Sequence, residues 1–283
     1  MTFTNCRVPA SLGLALFTLA GCGGVSDAEL PDSFNCTLRN CTESSTLGVD
    51  EISPRFTATQ VDANHLIFVE GFLGKSANAT TTVLLASNES LMASANGETE
   101  TRLNDINGRR LDYSLYLNST ADQPVVRIVF TRAGVRHVSE VTLPGAFTVL
   151  QPTGVPILRR TGSALPVRLS LATIGGASAT ATGGCSRTDN STFPFKDLTL
   201  GAVTEPGVAG GYRLEPATLD TVMNNASRAA NNDAANTPAV AECQLTVAWI
   251  RTAHGTIAPT MNGHGTLTGL REATHPLNYD ARS

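Results

Sequence analysis

The stretch Cys243-Gln244-Leu245-Thr246-Val247-Ala248-Trp249 alternates apolar and polar residues over seven positions. A period of two places Cys243, Leu245, Val247 and Trp249 on one face of a β-strand and Gln244, Thr246 and Ala248 on the other. Cys243 therefore points into a core beside the only tryptophan of the chain.

The same alternation recurs on either side of this stretch. Upstream, His65–Leu73, Thr81–Ser87, Leu111–Leu117, Val125–Thr131 and His137–Leu143 read as strands. Asn96-Gly97, Asn107-Gly108, Ala121-Asp122-Gln123-Pro124 and Ala133-Gly134 separate them as turn signals. Pro144-Gly145 interrupts the series. Phe147–Leu150, Leu165–Leu171, Ala177–Thr182, Tyr212–Leu214, Cys243–Arg251 and Thr266–Leu270 continue it. Leu219, Val222, Met223, Ala226 and Ala230 recur at helical spacing after Pro216, which predicts one helix over about 217–230. Val125–Gly134 and Leu245–Gly255 both run from a strand through arginine to glycine, a hint of two similar modules. The expected fold class is all-β and mainly antiparallel: two tandem sandwiches, with one short helix in the second.

The N-terminus has the parts of a secretory leader. Arg7 is followed by an apolar stretch from Val8 to Ala20, shorter than the roughly 20 residues that span a bilayer. Leu19-Ala20-Gly21-Cys22 closes it and resembles a bacterial lipobox. The resemblance implies cleavage before Cys22, lipidation of its sulfur, and a tether outside the cytoplasm. Gly23 in place of an aspartate favours the outer membrane. The expected organisation is a signal peptide over 1–21, a lipidated spacer over 22–48, sandwich domains over 49–145 and 146–272, and a tail over 273–283.

An exported protein meets an oxidising compartment. Cys36, Cys41, Cys185 and Cys243 then remain as an even set, open to three connectivities. The favoured pairing is Cys36–Cys41 with Cys185–Cys243. The second bridge would join buried positions much as in immunoglobulin-like sandwiches, although here Trp249 follows the second cysteine. With Val141–Val149 leading from one module to the next, the chain resembles the tandem Ig-like β-sandwich lipoproteins of Gram-negative envelopes.

Charge narrows the partners. Without its leader the chain carries 19 basic and 24 acidic residues, a balance of −5. That argues against a nucleic-acid partner, which needs a basic footprint. Gly74-Lys75-Ser76 lacks the glycine a P-loop requires, Val69 standing in that place, so no nucleotide is expected. No Gly-x-Ser-x-Gly elbow is present; Gly176–Thr180 ends in the wrong residue. Asn104–Gly108 reads as a turn, since Arg109 and Arg110 would repel a cation. His254 and His264 are the weak candidates for a metal or catalytic role, but no carboxylate lies between Arg251 and Arg271. No metal or cofactor is expected. Arg127, Arg132, Arg136, Arg159 and Arg160 could form a patch for anionic groups.

The function expected is non-enzymatic binding, adhesion or scaffolding at the cell envelope, with the membrane as partner through Cys22 and an envelope protein or glycan as the other. The alternative is an envelope hydrolase or an assembly accessory of an outer-membrane complex.

Overall fold

The computed structural model describes residues 40–283 apart from 62–64, 77 and 232–234. The leader, Cys22 and Cys36 lie outside the described residues. The N-terminal half runs β1 (Cys41–Glu43), β2 (Ile52–Val61), β3 (Leu66–Lys75), β4 (Asn78–Leu84), β5 (Ser90–Ala95), β6 (Thr101–Arg102), β7 (Asn104–Asp105), β8 (Asp112–Asn118), β9 (Val125–Arg132) and β10 (Val135–Thr142). The C-terminal half runs β11 (Val149–Gln151), β12 (Ile157–Arg159), β13 (Leu165–Leu169), β14 (Ser178–Arg187), β15 (Thr192–Leu200), β16 (Val203–Thr204), β17 (Gly211–Leu214), α1 (Pro216–Ala229), β18 (Val240–His254) and β19 (Thr266–Asp280). The class is all-β and mainly antiparallel, with the one expected helix in the second half.

One large sheet runs through both halves in the order β1-β4-β3-β2-β19-β18-β14-β15, with β8 and β12 also paired into it. Two four-stranded sheets, β10-β9-β5-β6 and β11-β13-β17-β16, cover the same face of it. The join is a parallel pairing of β2 with the first half of β19, Arg55 opposite Thr266 through Val61 opposite Glu272. The two sandwiches thus stand in tandem on a shared sheet.

Each core follows from the alternation. In the first, Phe56, Ile67, Val69 and Leu73 of the shared sheet meet Leu91, Ile128, Phe130 and Leu143 of its cover. In the second, Leu245, Val247, Trp249 and Leu277 meet Val167, Leu169, Tyr212 and Leu214. Trp249 is fully buried, flanked in register by Ala179 and Ala273, and its ring lies 4.8 Å from that of Tyr212. Small neighbours in the sheet leave room for the indole, the alternation of sizes that dense packing needs. Leu219 and Met223 of α1 extend this core.

Cys185 and Cys243 form the expected disulfide, but not between two layers. They sit directly opposite one another on neighbouring strands β14 and β18, 4.0 Å apart at Cα. The immunoglobulin comparison therefore fails at this bond, which staples two strands of one sheet. Gly183, two residues before, lies where the β14–β15 pairing slips. A Cβ there would fall 2.1 Å from the carbonyl oxygen of Gln244, so only glycine fits.

Three other expectations change. Within the expected spacer, Cys41–Glu43 is a strand pairing parallel with β4; Cys41 is disulfide-bonded, as expected from the sequence. Ser44 is fully buried there. The expected tail is the second half of β19: Ala273, Leu277 and Tyr279 enter the second core because β18 stays paired with β19 over its whole length. The Val125–Gly134 and Leu245–Gly255 stretches occupy different layers, β9 in a cover and β18 in the shared sheet, so they are not equivalent modules. The turn signals did place hairpins. Ala133 and Gly134 both take positive φ, 48° and 77°, in the two-residue loop joining β9 to β10.

Candidate binding face

Because both covers lie on one side, the shared sheet leaves its opposite face without a layer among the described residues. Its residues are the polar half of each alternation. Thr57 and Thr59 of β2, Thr266, Thr268 and Thr274 of β19, Thr246 and Thr252 of β18, and Thr180 and Thr182 of β14 all occupy these positions. Threonine suits this place: its branched Cβ favours the strand while its hydroxyl meets water.

Two depressions interrupt the face. The larger, about 970 Å³, lies over the C-terminal half and is lined by Thr182, Gly184, Gln244, Thr246, Pro276 and Asn278 among others. The smaller, about 390 Å³, lies over the N-terminal half and includes Arg55, Thr57, Glu70, Phe72 and Asp112. Beside it the register builds a lattice. Arg55, Phe72 and Asp112 form one cross-strand row, Thr57, Glu70 and Ser114 the next, and Thr59, Phe68 and Tyr116 the third. Phe68 and Tyr116 pack with tilted rings, centroids 4.8 Å apart, and Tyr116 is 63% exposed. Among the described residues Arg55, Glu70 and Asp112 make no side-chain hydrogen bond or ion pair.

The residues singled out from sequence are elsewhere. His254 is exposed at the end of β18, opposite Thr268, and His264 is exposed in a turn where its N–H donates to Asn262 Oδ1 at 2.9 Å. Among the described residues no three His, Cys, Asp or Glu side chains gather as a metal site. Gly74 and Lys75 belong to β3, paired with Thr82 and Asn78. Asn104–Gly108, read as one turn, begins as β7, with Asn104 and Asp105 paired to Ser114 and Tyr113, and the Arg110 N–H donates to Asp105 Oδ2 at 2.8 Å.

The arginine patch does not assemble, because most of its members are paired. Arg127 meets Glu140 at 2.6 Å, Arg136 meets Glu100, and Arg160 meets Asp220 at 2.7 Å. Arg132 turns inward. Its Nε donates to Glu89, and its other nitrogens donate to the carbonyls of Leu47 and Ser44 at 2.8 and 2.7 Å. Glu89, whose side chain is 1% exposed, also accepts from the Ser44 hydroxyl and from the Ala86 N–H.

A polar seam lies under the join of the two sandwiches. Arg271 points inward from β19 and donates to Gln60 Oε1 and, at 3.1 Å, to the carbonyl of Asp122. Burial holds its guanidinium below the usual arginine range, opposed by the charge of Asp122. His275, two positions past Ala273 on the same face, is buried with no hydrogen-bond partner among the described residues at either ring nitrogen, and burial pushes its pKa down to about 4. His137 is also buried, under the first cover, with Nδ1 2.6 Å from the Thr260 hydroxyl; burial and then Arg132 lower its pKa.

Sequence reading found two strands of this lattice, β3 and β8, but not β2 and not the lattice itself. Both faces of β3 are apolar, with Leu66, Phe68 and Phe72 on one and Ile67, Val69 and Leu73 on the other. Only the position of the cover decides which face stays open.

The fold and face define a double β-sandwich with a long uncovered sheet. No family model matches the chain, and no curated protein matches it. Among solved structures, a chimeric titin Z1Z2 carrying an exogenous decorin peptide is similar at 11% identity and a TM-score of 0.22, over 78% of this chain and 95% of that one. The BSP domain of a biofilm associated protein matches at 11% identity and a TM-score of 0.23, over 82% of this chain and 30% of that one. The Yersinia pseudotuberculosis adhesin InvE matches at 11% identity and a TM-score of 0.23, over 80% of this chain and 60% of that one. At these scores the likenesses assign neither family nor activity.

Proposed function

We propose that the protein is a non-enzymatic binding, adhesion or scaffolding protein of the cell envelope, tethered to the outer membrane through lipid on Cys22. The observation that carries the binding role is the uncovered face of the shared sheet, a rigid strand-built surface of threonines with two depressions. Sites built on strands hold their side chains in fixed register, which favours recognition. The tether rests on the order leucine, alanine, glycine, cysteine at 19–22.

Two measurements test it. Cells fed an alkyne-bearing fatty acid should label the wild-type protein and not a Cys22→Ser variant; equal labelling overturns the tether. Immobilised wild-type protein should retain envelope material that a Thr57→Arg/Thr246→Arg variant releases, while Val138→Arg on the first cover retains it. Equal retention by all three overturns the open face as the binding surface.

A further inference from the structure

Resting on that binding reading, we infer that the lattice of β2, β3 and β8 is a site for a neutral oligosaccharide, with Tyr116 and Phe68 as the stacking platform and Glu70, Asp112 and Arg55 as its hydrogen-bonding groups. The chemistry of a pyranose is two-sided. One face carries axial C–H bonds, and the rim carries hydroxyls. The C–H face fits the electron-rich surface of an exposed aromatic ring. Tyr116 is such a ring, in tilted contact with Phe68 at 4.8 Å between centroids. An exposed aromatic on a strand carries little rotamer freedom, so ordering it costs little on binding.

The rim needs acceptors and donors at fixed offsets. Outward side chains recur at about 4.8 Å between strands and about 6.8 Å along them. Glu70 stands one step along β3 from Phe68, and Asp112 lies two steps along β8 from Tyr116. The carboxylates accept hydroxyl protons and the Arg55 guanidinium donates. Being free of partners among the described residues, these groups need not break an ion pair to bind. The adjoining depression of about 390 Å³ is of small-ligand size.

Charge selects among ligands. Two carboxylates against one guanidinium repel acidic sugars and phosphates, and the arginines that would attract them pair with acidic residues elsewhere. A protein partner needs about 800 Å² of complementary surface on each side, whereas the apolar part of this face is the Phe68–Tyr116 pair with Phe72, Leu66 and Val61.

The test is binding of a panel of neutral oligosaccharides of hexoses and N-acetylhexosamines to the full chain, followed by calorimetry and NMR shifts. Binding is expected for part of the panel, weakened at least tenfold by Tyr116→Ala and by Glu70→Gln, and unchanged by Val138→Ala. Shifts should cluster at Arg55, Glu70, Asp112 and Tyr116. Circular dichroism verifies that each variant folds. Absence of binding at millimolar sugar, or wild-type affinity in Tyr116→Ala, overturns the inference. So does capture of a basic peptide, salt-sensitive and abolished by Glu70→Gln, in place of any sugar. If envelope material is still retained by wild type and lost in Thr57→Arg/Thr246→Arg, the sugar inference alone has failed; if retention is absent too, the binding reading fails with it.

Discussion

The two sandwiches are fastened by different chemistry. In the N-terminal one, the segment that enters the fold is tied by charge: Arg132 and Glu89 sit inside and bond Ser44 and Leu47. In the C-terminal one, β14 is tied to β18 by a covalent bond, Cys185–Cys243. A buried ion network depends on every partner being present, because a lone buried charge is costly. A disulfide acts chiefly on the unfolded chain by shortening its reach. The first should therefore answer to substitution of the network and, through the bond of Cys41, also to reductant; the second should answer chiefly to reductant. The shared strands β18 and β19 decide whether the halves feel each other's losses.

Removing the disulfide should have the largest effect. With the cysteines 58 positions apart, loop closure contributes about 4 kcal/mol. Cys185→Ser/Cys243→Ser should lower the urea midpoint followed by Trp249 fluorescence and by far-ultraviolet dichroism alike. If fluorescence shifts while dichroism keeps a separate later transition, the halves are uncoupled in spite of the shared sheet.

Arg132→Ala should follow. It leaves Glu89 buried and unpaired, a loss of about 3 kcal/mol, the lower end for such breaks because the Arg132 side chain is 17% exposed. A denaturation series on Arg132→Ala and Glu89→Gln/Arg132→Met checks this; the double variant should recover part of the loss. Equal stability of Arg132→Ala and wild type refutes the network's role.

Acid sharpens the contrast at the seam. His275 has a folded pKa of about 4 against an ordinary value near 6.5, so the unfolded chain binds its proton more tightly. The stability is whole above about pH 6.5 and is lost as pH falls toward 4, by about 2 kcal/mol at pH 5. His137, also lowered, acts in the same direction. His275→Leu should flatten most of the slope between pH 7 and 5; an unchanged slope would assign it elsewhere.

The smallest effect belongs to the surface. Arg127 and Glu140 pair at 2.6 Å with both side chains about half exposed, so Arg127→Ala should cost no more than about 0.5 kcal/mol. A larger shift in midpoint would show that the first cover depends on surface charge as well as on Arg132.

Much of the strand order was legible in the sequence, and the reasons for the misses are specific. Val125–Thr131 and the helix near 217–230 stood out because one period ran unbroken, matching β9 and α1 closely. The second half of β19 was hidden because Arg271 and His275 occupy inward positions where apolar residues would show the alternation. β15 was hidden by Pro194, Lys196 and Asp197, the residues that mark an edge strand. The disulfide partners could be named, but not their shared sheet, because that depends on register. The open face could not be read at all, since it depends on where both covers lie.

The parallel pairing of β2 with β19 also sets an order of events during synthesis. Arg55 waits for Thr266, more than 200 residues later, before that edge of β2 is closed. Until then β2, paired with β3 on its other side, presents one unpaired edge. Contacts this remote in sequence are slow to form. A chain halted before residue 266 would leave one edge of its earliest long strand open to strand-adding partners until the last long strand arrives.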